Sequence, residues 1–333
     1  MAKITILGSG GFGTSLAVVA HKHGHDVTLW SAFSEEIEHI RKYGENKKLL
    51  PGILVDNAIE LTTDLNCVKD VDLLIFAVPS SVVRKVANQV KGYVSPNTIC
   101  ANVGKGLEDE TLMRLSEVIT QELPNNKFVA LTGPSHAEEI ARGVPTSILA
   151  VSQDIEAAKY VQDVLMNKSL RIYLNDDLVG AELGGAFKNI IAVAAGICDG
   201  LGLGDNTKAA LMTRGLAEIT RLAISLGGKI ETMAGLAGIG DLIVTCTSMH
   251  SRNRRFGILV GEGMDAQTAL ERIGMTVEGV VATKAAWKLA KKQGISMPII
   301  EKMYEVIFCG AQIREVVENL MDRPKKHENE DAE

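Results

Sequence analysis

Lys105 and Lys188 are the two residues whose neighbours best equip them for chemistry. Lys105 stands between glycines in Asn102-Val-Gly-Lys-Gly106, directly after the short apolar run 98–101. Lys188 lies in Glu182-Leu-Gly-Gly-Ala-Phe-Lys-Asn189, inside an otherwise apolar helical stretch and four residues after Gly184. Residues four apart share a helix face, so Lys188 has a small residue beside it. Desolvation lowers an amine's pKa from ~10.4 and makes it a usable general acid or base. The alternatives are a lysine snorkelling to the rim of its helix at 188 and a surface turn at 105.

Two further segments are polar where their surroundings are apolar or glycine-rich. In Gly238-Ile-Gly-Asp-Leu-Ile-Val-Thr-Cys246, Asp241 follows a glycine turn, and Ser251-Arg-Asn-Arg-Arg255 comes soon after. Arg252 and Asn253 form a possible anion-binding pair, because a guanidinium offers a fork matched to phosphate; a solvated loop is the alternative. Thr132-Gly-Pro-Ser-His-Ala137 offers the Ser135 hydroxyl and a helix start at Ser135, with Glu138 completing a capping box. His136 is a possible acid or a structural residue. No Ser-His-Asp arrangement and no metal-ligand spacing is legible.

These groups need a scaffold, and the first thirty residues announce one. The apolar run 4–7 leads straight into Gly8-Ser-Gly10-Gly-Phe-Gly13, then a helical stretch, then a second strand at 26–30. Strand, glycine turn and helix in that order make a dinucleotide-binding βαβ unit. Gly8 suits the sharp turn, Gly10 a close approach of backbone to pyrophosphate, and Gly13 tight packing of helix on strand. Phosphate then meets the N–H groups at the helix start. Strands are predicted at 4–7, 27–30, 59–61, 73–78, 98–101, 128–131, 147–150 and 171–173, with helices between most of them. That alternation predicts a largely parallel, doubly wound sheet. In such a sheet ligands bind beyond the C-terminal strand ends, where Lys105 and Ser135 fall.

Beyond residue 176 strand signals stop. Helices are predicted over the stretch around 179–195 and at 208–226, 266–273, 279–292, 297–308 and 313–322. The fold class is therefore α/β: a Rossmann-like, doubly wound N-terminal domain at 1–176 and an all-α substrate domain at 177–323. Residues 324–333 have almost no apolar side chain and read as a disordered tail. A dinucleotide fold with two lysines, an aspartate and an Arg-Asn pair points to hydride transfer to a small phosphorylated carbonyl compound.

The chain has 333 residues, 46% of them hydrophobic, with a net charge of −6. That charge gives no bulk attraction to nucleic acid. Five scattered cysteines without a Cys-x-x-Cys pair read as reduced thiols of a cytoplasmic protein. No unbroken apolar run approaches the ~20 residues of a membrane span, and no signal peptide is evident at the N-terminus.

The segments 8–13, Phe76-Ala-Val-Pro-Ser80, 104–106, 133–135, 182–189, 240–242, 251–254 and Val277-Glu-Gly279 together resemble the NAD(P)-dependent glycerol-3-phosphate dehydrogenases of bacteria, over essentially the whole length. The resemblance implies interconversion of dihydroxyacetone phosphate and sn-glycerol 3-phosphate with NADPH/NADP or NADH/NAD, feeding phospholipid synthesis, and a homodimer. It implies Lys188, Lys105 and Asp241 as catalytic residues, with Lys188 moving the proton at the substrate oxygen. Lys105, Gly133, Ser135, Lys188, Asn189, Asp241, Thr245, Ser251, Arg252 and Asn253 would surround the substrate. Gly8, Gly10, Gly11, Phe12, Gly13, Lys105, Ala137, Arg252 and Glu278 would touch the cofactor.

One departure stands out. Relatives commonly carry a basic residue two positions after the tryptophan ending the second strand, and here that position is Ala32, with no acid before Glu35. Neither the usual carboxylate for a ribose hydroxyl nor the usual cation for a 2′-phosphate is present at that strand end. Arg41, Lys42, Lys47 and Lys48 remain as distant cations and lean the expectation toward a weak preference for NADPH. Two other classes stay open on residues alone: another two-domain hydroxy-acid dehydrogenase, and a non-catalytic dinucleotide sensor.

Overall fold

The computed structural model describes residues 1–325, 327 and 328. Eight strands form one sheet: β1 (Lys3–Leu7), β2 (Asp26–Trp30), β3 (Glu60–Thr62), β4 (Leu73–Phe76), β5 (Ile99–Asn102), β6 (Phe128–Thr132), β7 (Thr146–Val151) and β8 (Leu170–Asn175). Their order is β3-β2-β1-β4-β5-β6-β7-β8. Every neighbouring pair is parallel except β6 and β7, which run antiparallel. All eight predicted strands are present. β4 stops at Phe76, two residues before the apolar run ends, because the chain turns there over the glycine loop.

Helices α1 (Gly11–Lys22), α2 (Ser34–Tyr43), α3 (Val83–Val90), α4 (Leu115–Glu122), α5 (Ala137–Ala141) and α6 (Ile155–Leu165) flank the sheet. Strands such as β4 are buried along their whole length, as strands covered on both faces must be. The order reverses between β1 and β4. That is the crevice where doubly wound sheets receive ligands.

After Asn175 every regular element of the described residues is helical. α7 (Leu178–Gly200) is the axis of this half. Around it lie α8 (Asp205–Ser225), the short α9 (Ile230–Met233), a π-helical turn at Leu236–Gly240, α10 (Asp241–Thr247), α11 (Arg252–Gly261), α12 (Ala266–Ile273), α13 (Glu278–Gln293), α14 (Pro298–Phe308) and α15 (Ile313–Met321). Five of these helices match the prediction within a few residues. α9, α10 and α11 were not anticipated, because glycines and arginines mask their apolar period. Gly238, read as part of a turn, is demanded by packing: a Cβ there would lie 1.9 Å from the Met233 carbonyl oxygen.

Two helical stretches, α7 and residues 230–247, are long and apolar enough by composition to cross a membrane, although a scan for unbroken apolar runs passes over both. In α7, 83% of the qualifying window is buried inside the protein, so its apolar character is that of a core helix. The tail prediction falls mostly outside the described residues; 324, 325, 327 and 328 have no helix or strand.

Candidate active site

Lys188 projects from α7 with 6% of its surface exposed. Its ammonium donates to Asp241 Oδ1 at 2.5 Å and to Thr245 Oγ1 at 2.5 Å. Asp241 and Thr245 sit one turn apart on α10, and the Thr245 hydroxyl donates onward to the Asp241 carbonyl at 2.6 Å. The second lysine arrives from the other half of the protein. Lys105, in the loop after β5, donates to Asp241 Oδ2 at 2.6 Å and to the Gly133 carbonyl, after β6, at 2.9 Å. Two ammonium groups therefore share one carboxylate that is 1% exposed.

Burial lowers the Lys188 amine to about 8; the Lys105 charge pushes the same way, and Asp241 opposes both. Snorkelling is thus not what Lys188 does. Its ammonium lies where α7, α10 and the loops after β5 and β6 meet.

The Gly133-Pro-Ser-His segment reaches this cluster at the Gly133 carbonyl, but its local structure differs from expectation. α5 starts at Ala137, with His136 as its N-cap and no side-chain cap. The Ser135 hydroxyl donates to the Gly133 carbonyl at 2.8 Å instead of closing a capping box. Proline at 134 fixes the backbone as extended before the helix can begin. The His136 imidazole is held below its usual pKa by burial and by the Lys188 charge. Its ring is 5.6 Å from that of His250, and its Nε2 is buried without a partner.

The arginine run is the first turn of a partly buried helix, not a solvated loop. Ser251 caps α11, its hydroxyl accepting from the Arg254 amide at 3.2 Å. Asn253 donates to Asn189 Oδ1 at 2.9 Å and accepts from the Gly279 amide at 2.9 Å. Its side chain ties α7, α11 and α13 together through its carbonyl oxygen and one of its two N–H donors, so the residue paired with Arg252 in the sequence also holds three helices in place. The amides of Arg252 and Asn253 open α11 with no acceptor in the protein among the described residues, as expected of the first turn of a helix. Arg254 reaches away, to Asp199 Oδ2 at 2.7 Å and the Thr247 carbonyl at 2.7 Å. Arg252 is half-buried, and burial lowers its pKa while Glu278 supports its charge. A guanidinium stays protonated regardless. Glu278, raised by burial, starts α13 and accepts from the Ser80 hydroxyl, after β4, at 3.1 Å.

The glycine turn has the form a dinucleotide requires. Gly8 has φ +123°, and a Cβ there would meet the Ala77 carbonyl oxygen at 2.5 Å. A Cβ on Gly13 would lie 2.0 Å from the Gly8 carbonyl oxygen. Gly10 has open space: among the described residues no atom outside 9–11 lies within 4 Å of where its Cβ would be. Gly11 and Phe12 begin α1, and Ala137 is brought against Gly11 by packing of α5 on α1, where Ser15 Oγ donates to the Ala137 carbonyl at 3.0 Å. This cradle, with free amides at a helix start, fits a pyrophosphate.

One residue escaped the sequence reading. The Glu36 carboxylate, on α2, accepts from Ser9 Oγ at 2.5 Å and from Ser31 Oγ at 2.6 Å. An acid therefore does stand at the end of β2, delivered from the following helix. The reading looked for it at the strand end itself, and side-chain direction back along α2 is what places it there.

Comparisons with known proteins give the family of the chain. Residues 3–158 match the description NAD-dependent glycerol-3-phosphate dehydrogenase N-terminus, and residues 177–318 its C-terminus. The chain is 50% identical over 329 residues to the glycerol-3-phosphate dehydrogenase (NAD(P)+) of Clostridium perfringens, covering 98% of this chain and 99% of that protein. It is 48% identical over 335 residues to the enzyme of that name from Bacillus subtilis, covering 99% and 97%. The crystal structure of glycerol-3-phosphate dehydrogenase from Coxiella burnetii superposes with a TM-score of 0.93 at 38% identity, covering 97% of this chain and 99% of that one. The chain belongs to the NAD-dependent glycerol-3-phosphate dehydrogenase family.

Proposed function

We propose that this chain interconverts dihydroxyacetone phosphate and sn-glycerol 3-phosphate with NAD(H) or NADP(H), supplying glycerol 3-phosphate for phospholipid synthesis. The observation that carries the reading is the buried Lys188–Asp241–Lys105 cluster beside a free helix start and Arg252.

The turn of Gly8, Gly10 and Gly13 and the start of α1 would hold the pyrophosphate, and Gly11, Phe12, Ala137, Lys105, Arg252 and Glu278 would surround the rest of the cofactor. Bound reduced nicotinamide supplies the hydride for the ketone carbon. Lys188 holds its proton at the carbonyl oxygen, stabilises the negative charge growing there and transfers the proton to it. Its lowered pKa brings donor and acceptor forms close to working pH. Asp241 anchors both lysines, and Thr245 fixes the Lys188 ammonium in direction. Lys105, Gly133 and Ser135 form the opposite wall. Arg252 and the amides of Arg252 and Asn253 hold the phosphate, with Ser251 and Asn189 shaping that end. Anchoring the phosphate away from the reacting carbon supplies orientation.

The two halves, 1–176 and 177–323, act as cofactor and substrate domains. The assembly is a homodimer in the cytoplasm. The reading is tested by following NADH and NADPH oxidation with dihydroxyacetone phosphate, dihydroxyacetone and a 2-oxo acid. Turnover restricted to the phosphorylated ketone, with sn-glycerol 3-phosphate as product, is expected. Turnover of the 2-oxo acid, or none of the phosphorylated ketone, would replace it.

A further inference from the structure

We propose that Glu36 selects the dinucleotide without a 2′-phosphate, making NADH the preferred cofactor. The proposal rests on the dehydrogenase reading above and concerns the adenosine end of the same site.

Three elements converge on one carboxylate. Ser9 belongs to the glycine turn, Ser31 follows the last residue of β2, and Glu36 lies in the first turn of α2. Both hydroxyls donate to the same oxygen, Oε2, at 2.5 and 2.6 Å. Ser31 is itself oriented by accepting from the Phe33 amide at 3.2 Å. Among the described residues Oε1 has no hydrogen-bond partner, and the residue is exposed to solvent. In a βαβ dinucleotide site the adenosine ribose lies between the glycine turn and the end of the second strand, and an acid there accepts from its hydroxyls. A carboxylate bridging those two elements, with one oxygen unused, meets that requirement.

A 2′-phosphate would instead bring about two negative charges beside this carboxylate. Three of the four neighbouring cations are engaged elsewhere. Arg41 pairs with Glu38 and donates to the Leu61 carbonyl at 2.9 Å. Lys47 lies 4.0 Å from Glu45 and 3.9 Å from the centre of the Tyr43 ring, and Lys42 lies 5.3 Å from the same ring. Ala32 contributes no charge, and Phe33, 65% exposed beside it, offers an apolar face. Lys48 alone of the four basic residues stands outside these contacts.

The decisive experiment measures binding to the full-length protein, independently of turnover. Calorimetry with 5′-AMP and adenosine 2′,5′-bisphosphate should show at least about tenfold tighter binding of 5′-AMP, the order expected for like charges set close together at a partly exposed site. Glu36→Gln, which preserves the shape and the serine contacts, should bring the two affinities within a few-fold. The ratio of kcat/KM for NADH and NADPH should follow the same order. Equal affinities in the wild-type protein, a preference for the 2′-phosphorylated nucleotide, or an unchanged ratio in a folded Glu36→Gln variant would overturn the proposal. If the nucleotide preference appears but dihydroxyacetone phosphate is not turned over, the dehydrogenase reading fails and the assignment of Glu36 stands.

Discussion

Lys188 and Asp241, 53 residues apart in the chain, meet at 2.5 Å with both side chains buried. Neither is stable there alone: a buried charge without a partner is costly, and the pair leaves one carboxylate oxygen for Lys105. The proton donor proposed for the reaction is thus held by the same group that binds the N-terminal half to the helical half.

Lys188→Ala should lower kcat by at least about 100-fold, the low end for a general acid or base. Dinucleotide affinity should change little, because the glycine turn is distant in sequence and independent of this contact. Steady-state kinetics and a cofactor titration on the same folded variant check both halves of the statement; near-normal kcat would remove Lys188 from the proton step.

Ketone reduction needs protonated Lys188, and burial sets its pKa at about 8. Reduction should therefore decline as pH rises through about 8, while oxidation of glycerol 3-phosphate should increase over the same window. The same shift affects stability. The folded value lies below the unfolded value of ~10.4, so between them the unfolded chain binds more protons. The contribution of Lys188 to stability should rise with pH from about 8 toward ~10.4. Parallel limbs in the two directions would contradict this assignment.

Asp241→Asn removes the charge that supports the Lys188 ammonium. The reduction limb should move to lower pH, a readout that a purely structural role would not shift. Asp241→Ala leaves two lysines uncompensated in a buried site and should cost about 3–5 kcal/mol in denaturant unfolding.

Arg252→Ala should raise KM for dihydroxyacetone phosphate by the equivalent of roughly 2–5 kcal/mol, the cost of losing a charge-assisted contact to a bound anion. Arg252→Lys should restore only part, because the fork is lost. Measuring dihydroxyacetone with and without its phosphate gives the check: a variant that still discriminates as strongly as the wild-type protein would place the anion elsewhere.

Gly257→Ala tests how α11 is positioned. A Cβ there would lie 2.0 Å from the Val193 carbonyl oxygen of α7. Overpacking of this kind typically costs ~1–3 kcal/mol. Because the helix that moves carries Arg252 and Asn253, KM for the phosphorylated substrate should rise with the loss of stability. A destabilised variant with unchanged KM would show that α11 relaxes without disturbing its first turn.

Much of this molecule was legible before folding, for local reasons. Short apolar runs separated by helical periods predict strands at 4–7 and 73–78, found at Lys3–Leu7 and Leu73–Phe76, and a glycine turn after the first strand needs only its immediate neighbours. The catalytic segments were recognisable because a lysine in an apolar helix and a lysine between glycines are locally anomalous. What no local pattern carries is which charge meets which. Asn253 looks like an anion ligand in its own segment, and the fold makes it in addition the tie between Asn189 and the Gly279 amide. Asp241 looks like a turn residue, yet a π-helical turn packed on α7 makes it the shared counter-ion of two lysines. Ala32 announces a strand end without charge, yet Glu36 returns a carboxylate to that place along the first turn of α2. The sequence by itself determined the elements, the dinucleotide turn and the reacting residue types, since each depends on contacts within a few residues. Only the tertiary structure decided the ion pairs, the free helix start and the acid at the ribose end, since burial and pairing depend on residues distant in the chain.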